Sequence, residues 1–508
     1  MSDPPLDERA RRLAKIDALR AAGRDPYPVR FDRTHTAAEV TEHWGDRVTA
    51  GEETDDEVRV AGRIMLLRRQ GRLTFATLRD ASGSLQLFVS RDAIGEEQHT
   101  AFDDLDRGDW VGASGTVMKT RRGELSVKVT SFELLAKAVR PLPEKWHGLN
   151  DVDTRFRQRY VDLIANDDAR RVFAVRFSVV ATIRRLLTER GFVEVETPVL
   201  HAQAGGAAAR PFHTYHNALD MPLTLRIALE LHLKRLLVGG MERVFEIGRV
   251  FRNEGIGTRY NPEFTMLELY QAFADYTDMM TLTEELVAEC ARVAIGGTVV
   301  DAEGYPLDLT PPWPRQTMLE LIEEHAGVKV HPAMPRDELE RACKDAGVPF
   351  EAGWDGGKLV LVLYETTVEP NLVGPVFVLD YPRDVSPLAR VHRDDPALVE
   401  RFEVVALGRE LANAFSELND PVDQRDRFEA QAKLVAAGDE EAHGLDEDYV
   451  RALEYGLPPC GGLGIGVDRL VMLIAGVSTI REVILFPHLR PEAGQDDDVG
   501  ADTTQEDT

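Results

Sequence analysis

The chain has 508 residues, 43% of them hydrophobic and 29% charged, which is too long for one ordinary core and excludes a fibrous or disordered protein. A net charge of -27 excludes a uniformly basic surface, so any polyanionic partner must meet a local basic patch. The three cysteines, Cys290, Cys343 and Cys460, form no CxxC pair, which excludes a disulfide scaffold or a cysteine-rich zinc site and fits a reducing cytosol.

The opening residues, MSDPPLDERARRLAK, carry no apolar core of the kind a secretory leader needs. No run of about 18 apolar residues follows anywhere, so no membrane span and a cytoplasmic location are expected. In 6–22, Leu6, Leu13, Ile16 and Leu19 recur near one helical face among Arg9, Arg11, Arg12, Lys15 and Arg20, and Gly23 can stop the helix. This helix, in an N-terminal extension of residues 1–56, either packs on its own domain or offers its cations to a polyanion.

Between Glu57 and Leu135 the pattern becomes five short alternating strands with Gly or Asp turns, which predicts a small barrel of the oligonucleotide-binding kind over 57–138. Pro141 and Pro143 open a linker, 139–153. Residues 154–491 mix amphipathic helices with separated strands and lack a regular βαβα alternation. An antiparallel sheet flanked by helices is expected there, making the whole chain α+β. Residues 492–508 hold seven acids and no Lys or Arg, and read as a solvated, disordered tail.

Three segments of the long region bear on chemistry. VFAVRFSVVATIRRLLTERGFVEVETPVL, 172–200, reads as a helix followed by a strand ending near Pro198. RVFEIGRVFRNEGIGTRYNPEFTMLELY, 243–270, reads as a hairpin with Arg252, Asn253 and Glu254 where the first strand ends. A guanidinium there can clamp a phosphate through two N–H donors or serve as a charged rim. In GLGIGVDRLVMLIAG, Gly462, Gly464 and Gly466 alternate on one strand face and leave room for a flat group, with Arg469 at the start of a helix. A dinucleotide GxGxxG fails because position 467 is Val.

In this order the three segments resemble motifs 1, 2 and 3 of the class II aminoacyl-tRNA synthetases. RQRYVDLI, GGAAARPF, FRNEGI, NPEFTMLELY, NAFSELNDP and LDEDYVRALEYGLPP extend the resemblance, which covers nearly the whole chain, to the lysyl-tRNA synthetases. Neither HxGH nor KMSKS, the marks of class I, is present.

The resemblance implies activation of lysine by ATP and transfer to tRNA(Lys). It places Arg252 on the α-phosphate and Arg469 on the γ-phosphate, both as catalytic residues, with Glu254, Asn261 and Phe264 around the adenine. Glu268, Glu417 and Tyr270 would receive the ε-ammonium, Gly206 and Glu230 the α-amino group, with Asn413 and Phe415 as walls. Glu403 and Glu410 would hold Mg²⁺, brought together by a turn near Gly408. In the barrel Phe75 would stack an anticodon base and Gln86 read a base edge, with Arg68 and Glu124 as lesser candidates; the alternative for Phe75 is plain strand core. The resemblance also implies a homodimer packed across motif 1.

Three positions depart from the usual pattern. Leu229 precedes Glu230 where Pro is usual, Tyr260 stands where His is common, and Ala412 and Ala414 add methyl groups beside Asn413 that are expected to narrow the pocket. Rival readings are a paralogue lysylating another acceptor, a specialised duplicate enzyme, and a non-catalytic tRNA-binding relative. A non-catalytic form is expected to have lost Arg252, Arg469 or the glutamate pair, and all four remain.

Overall fold

In the computed structural model, residues 6–143, 149, 151–436 and 444–490 are described. The acidic tail and part of the expected linker lie outside them. The chain forms two compact units that divide between Thr154 and Arg155.

The first unit is a closed five-stranded barrel: β1 (Glu53–Gln70), β2 (Leu73–Arg79), β3 (Ser84–Ser90), β4 (Trp110–Lys119) and β5 (Leu125–Ala136), in the order β1-β2-β3-β5-β4. Alternation points Ala76, Leu78, Leu85, Leu87 and Val89 into the core and Phe75, Gln86 and Phe88 away from it, although Gln86 is itself buried. Helix α1 (Leu6–Ala21) packs on this same unit, where three of its cations are engaged, while Arg9 and Arg20 are exposed. Arg12 is buried and donates to the Ala138 carbonyl at 2.9 Å, while Arg11 and Lys15 both pair with Asp106. Of the two roles open to the helix, packing on its own domain is the observed one.

The second unit is built on an eight-stranded sheet. Its strands are β6 (Val193–Glu194), β7 (Arg243–Phe251), β8 (Glu263–Ala272), β9 (Arg315–Thr317), β10 (Val376–Leu379), β11 (Arg401–Ala406), β12 (Arg409–Ser416) and β13 (Cys460–Gly466). They run β9-β10-β11-β12-β13-β8-β7-β6, antiparallel except for the β6–β7 and β9–β10 pairs at the two edges. Segment 193–200 is not one strand, as its alternation suggests. After Glu194 only the Val195 N–H still bonds to β7, Thr197 turns its N–H and hydroxyl to the Glu246 carboxylate, and beyond Pro198 Leu200–His201 joins a separate three-stranded sheet.

One face of the eight-stranded sheet carries the main core. There α2 (Asp167–Glu189), α4 (Tyr276–Ile295) and α6 (Val467–Ala475) pack Val179, Ile183, Leu286 and Val471 onto Leu267, Leu269, Leu463 and Ile465. The other face is partly covered by α3 (Glu230–Val238) and α5 (Glu447–Glu454), and here the polar residues collect. Residues 318–372 add a helical layer with its own core around Leu321, Leu359 and Leu363. Among the described residues no helix is long and apolar enough to cross a membrane.

Candidate active site

The register of the five central strands sets two rows of residues across the polar face. One row reads Glu246, Glu268, Gly464, Asn413, Glu403, and the next reads Val244, Tyr270, Gly462, Phe415, Arg401. Directly opposed residues share a face, so the glycines form a floor between two walls of functional side chains. A Cβ on Gly462 would lie 2.0 Å from Glu417 Oε1 and 2.5 Å from the Tyr270 ring. That close approach is why glycine alternates here.

Glu410 joins this face through a bulge. Val404 pairs with Ala412 and Val405 with Glu410, which leaves Leu411 as an extra residue and restores Glu410 to the side of Asn413. The turn at Leu407–Gly408, with φ of 53° and 63°, is the tight two-residue hairpin that the twist of the strands favours. Ala412 and Ala414, each next to Asn413 in the strand, point to the opposite face and belong to the main core behind the sheet, which corrects the expectation that their methyl groups narrow the pocket.

Glu230, Glu268 and Glu417 are all buried, and converge under Tyr270 and Phe415. Burial, then the charge of Glu230, pushes the Glu268 carboxyl up to about 7. Three groups oppose that rise: the Leu229 N–H, 3.0 Å from Glu268 Oε1, the Tyr270 hydroxyl, 3.3 Å from Oε2, and the charge of Arg252. Proline at 229 could not make the first of these bonds. The departure at Leu229 therefore adds a donor to the pocket. Gly206, at φ 91°, lies against Ala228 and Glu230, where a Cβ would come within 3.0 Å of the Ala228 methyl.

Glu268 titrating near 7 implies a pH dependence. Its folded value exceeds the ordinary 4.5, so its contribution to stability falls as pH rises from about 4.5 through about 7. A bound cation favours the ionised form, so affinity for a cationic ligand should rise through the same range and level off above it. In Leu229→Pro this rise is expected to move to higher pH, with ligand affinity down about 10-fold or more at neutral pH for the lost charge-assisted bond. Binding titrations of the variant and parent from acid to alkaline pH check this; superimposable profiles would contradict it.

On the next strands Arg401 stacks on buried Tyr381, 4.4 Å from the ring centre, and donates to Asn413 Oδ1 at 3.1 Å and Glu403 Oε1 at 2.6 Å. Burial, then the charge of Glu410, pushes Glu403 up to about 7, and burial with Glu365 and Glu410 does the same to Glu369. These carboxylates disfavour one another's ionised forms, which is the environment a hard cation relieves. Among the described residues no cluster of three or more His, Cys, Asp or Glu is arranged to hold a metal alone. Arg469 donates to the Glu410 carbonyl at 2.8 Å and to its carboxylate at 3.3 Å.

The β7–β8 hairpin carries Arg252, whose guanidinium lies 5.1 Å from the centre of the Phe264 ring and close enough to Glu268 to lower its pKa. Asn261 is buried but turned into its own loop, donating to the Glu263 carbonyl at 2.6 Å and accepting from the His488 N–H at 3.3 Å. Glu254 and Tyr260 are exposed on the loop and join no cluster. The barrel holds a separate group: Phe75 and Phe88 meet edge to face at 5.4 Å, and Gln86 lies between Arg68, at 3.3 Å, and Ser126, at 2.9 Å. Phe75 stands outside the barrel core, so strand core is not its role.

Three features were not singled out from sequence. Lys234 sits inside the carboxylate pocket, Arg401 links Asn413 to Glu403, and Arg176 of α2 pairs with Asp468 of α6 at 2.5 Å while donating to Thr265 of β8 at 3.0 Å. The last ties the three motif segments together. Spacing carried the signal for two of them: Lys234 is four residues after Glu230 on a helix, and Arg401 two before Glu403 on a strand.

Residues 151–490 match the family model of class II tRNA synthetases (D, K and N), and residues 58–135 match the OB-fold nucleic acid binding domain. The lysine–tRNA ligase of Moorella thermoacetica is 54% identical over 486 residues, covering 96% of this chain and 98% of the relative. Those of Trichormus variabilis and Carboxydothermus hydrogenoformans are each 53% identical, covering 96% and 94% of this chain and 88% and 97% of their own lengths.

Proposed function

Because the chain belongs to the class II lysine–tRNA ligases, we propose that the buried carboxylates bind lysine while Arg252 and Arg469 hold ATP beside it. The enzyme uses ATP to join lysine to tRNA. The observation that carries the assignment of the pocket is the convergence of Glu230, Glu268 and Glu417 on one buried point, since a desolvated ammonium requires opposite charge and hydrogen bonds.

In the first step the lysine carboxylate attacks the α-phosphate of ATP and pyrophosphate leaves. In the second, the terminal ribose hydroxyl of tRNA attacks the mixed anhydride. Such chemistry depends on positioning and charge neutralisation rather than on a protein nucleophile. Arg252 holds the α-phosphate and stabilises charge developing there. Arg469 holds the γ-phosphate, and Phe264, Asn261 and Glu254 contact the adenine. Glu268, Glu417 and Tyr270 orient the ε-ammonium, Glu230 and Gly206 the α-amino group, and Asn413 and Phe415 close the sides. Glu403 and Glu410 would hold Mg²⁺; the Glu403 carboxyl, raised by burial and by the charge of Glu410, supports that pairing. When bound, the ion would neutralise phosphate charge.

The barrel binds tRNA, with Phe75 stacking an anticodon base and Gln86 reading an edge; their shared outer face beside Arg68 supports this. Exposed Phe177, Val193, Val199 and Leu200 around motif 1 support a homodimer. The ligase works in the cytoplasm on this reading.

The test is charging of tRNA(Lys) with labelled lysine by the purified chain. Ester-linked lysine on the terminal ribose is expected. Lysine-dependent ATP–pyrophosphate exchange without charging would point instead to another acceptor, and absence of both to a regulatory relative. Phe75→Ala should lower charging efficiency about 10- to 100-fold through the KM for tRNA, from a stacking loss of about 1–3 kcal/mol, and affect exchange far less. Equal losses in both assays would remove Phe75 from the anticodon site.

A further inference from the structure

The pocket contains a cation of its own. Lys234 lies one helical turn after Glu230 on α3 and its side chain is wholly buried, with Nζ 2.6 Å from Glu230 Oε1 and in ion-pair contact with Glu417. The ammonium sits 5.3 Å from the Phe415 ring centre and 5.9 Å from that of Tyr270. From the remaining elements packed against it, Tyr449 of α5, Cys460 of β13 and Glu268 of β8 complete the titratable surroundings. Burial opposes the charge, but Glu230 and Glu417 more than offset it and hold Lys234 protonated, well above the ordinary lysine range.

An ammonium this deep is costly unless it is paired, and a Leu or Met would fill the same space without that cost. The charge itself is therefore the useful property. Once all three carboxylates are ionised, as bound cations favour, one resident ammonium leaves two negative charges uncompensated. Free lysine brings two ammonium groups, and its carboxylate lies outside this count, toward Arg252.

Resting on the lysine-binding reading above, we propose that Lys234 is a specificity-determining positioning residue: a resident counter-ion that matches the pocket's uncompensated charge to the two ammonium groups of the substrate. Its charge opposes the rise that burial imposes on the Glu417 carboxyl, and its contacts fix Glu230 and Glu417 in direction, so that the incoming amino acid meets preformed acceptors. Without it the carboxylates repel one another in a dry site, one of them takes up a proton, and an acceptor is lost until that proton leaves.

Full-length Lys234→Met and Lys234→Gln test this through lysine-dependent ATP–pyrophosphate exchange and calorimetric binding in buffers of different ionisation enthalpy. The KM for lysine should rise on the order of 100-fold, as for removal of one partner of a buried charge pair, with a much smaller change in the KM for ATP. Lysine binding should release about one proton more than in the parent, and the raised KM should fall between about pH 7 and about pH 9, where the parent is nearly flat. A purely structural role would not move the proton count. Folded variants with the parental KM, proton release and pH profile would overturn the proposal. If Lys234→Met does not fold, the charge-cancelled Lys234→Met/Glu417→Gln chain decides: recovery of folding supports the counter-ion, and failure of both makes Lys234 a packing element and overturns it. A parent chain that does not use lysine would instead sink the functional reading, which is a separate outcome.

Discussion

Arg252→Ala is expected to lower lysine-dependent ATP–pyrophosphate exchange by on the order of 10²–10³-fold while leaving the fold in place. The side chain is half-buried, makes one long contact from Nε to the Ile227 carbonyl at 3.4 Å, and lies over Phe264. Its backbone bond to the Pro262 carbonyl, 2.9 Å, survives the substitution. Little structure therefore rests on the guanidinium, whereas charge on the α-phosphate grows as the lysine carboxylate attacks. Arg252→Lys should fall between, since an ammonium keeps the charge but lacks the planar pair of donors. Exchange rates read beside thermal melting curves check this. Near-parental exchange in the folded alanine variant would refute the assigned role.

Gly462→Ala should abolish productive lysine binding, with affinity down about 100-fold or more if Glu417 has to leave its place, toward the upper end of overpacking costs. The new methyl would come within 2.0 Å of Glu417 Oε1 and 2.5 Å of Tyr270 Cε1. The backbone cannot retreat, because β13 is laddered to β8 on one side and β12 on the other. The cheaper adjustment is for Glu417 to swing away, which breaks its contact with Lys234 and removes an anionic wall. ATP binding, on the Gly466 side of the strand, should change much less. Calorimetric titration with lysine and with ATP separates the two, and unchanged lysine affinity would show that Gly462 is not the pocket floor.

Much of this architecture was legible in sequence because each feature rested on a local period. Alternation with Gly and Asp turns located the barrel, and the spacing of Gly462, Gly464 and Gly466 located the strand that floors the site. What escaped depends on register and on partners distant in sequence. The bulge at Leu411 puts Glu410 on the site face, whereas alternation alone would send it with Ala412 toward the core. Lys234 reads as ordinary helical surface charge until Glu417, far along the chain, is brought beside it. Arg11, Arg12 and Lys15 of α1 look free for RNA, yet Asp106 and the Ala138 carbonyl take them up. Leu229 reads as a lost constraint, and only the fold reveals its N–H as a bond to Glu268.

The most direct test of the account is amino-acid-dependent ATP–pyrophosphate exchange by the purified full-length chain, measured in parallel with each of the twenty amino acids. Three buried carboxylates facing one resident ammonium predict strong exchange with lysine and little with the rest. Adenylate formation with a neutral or acidic amino acid, and none with lysine, would contradict it.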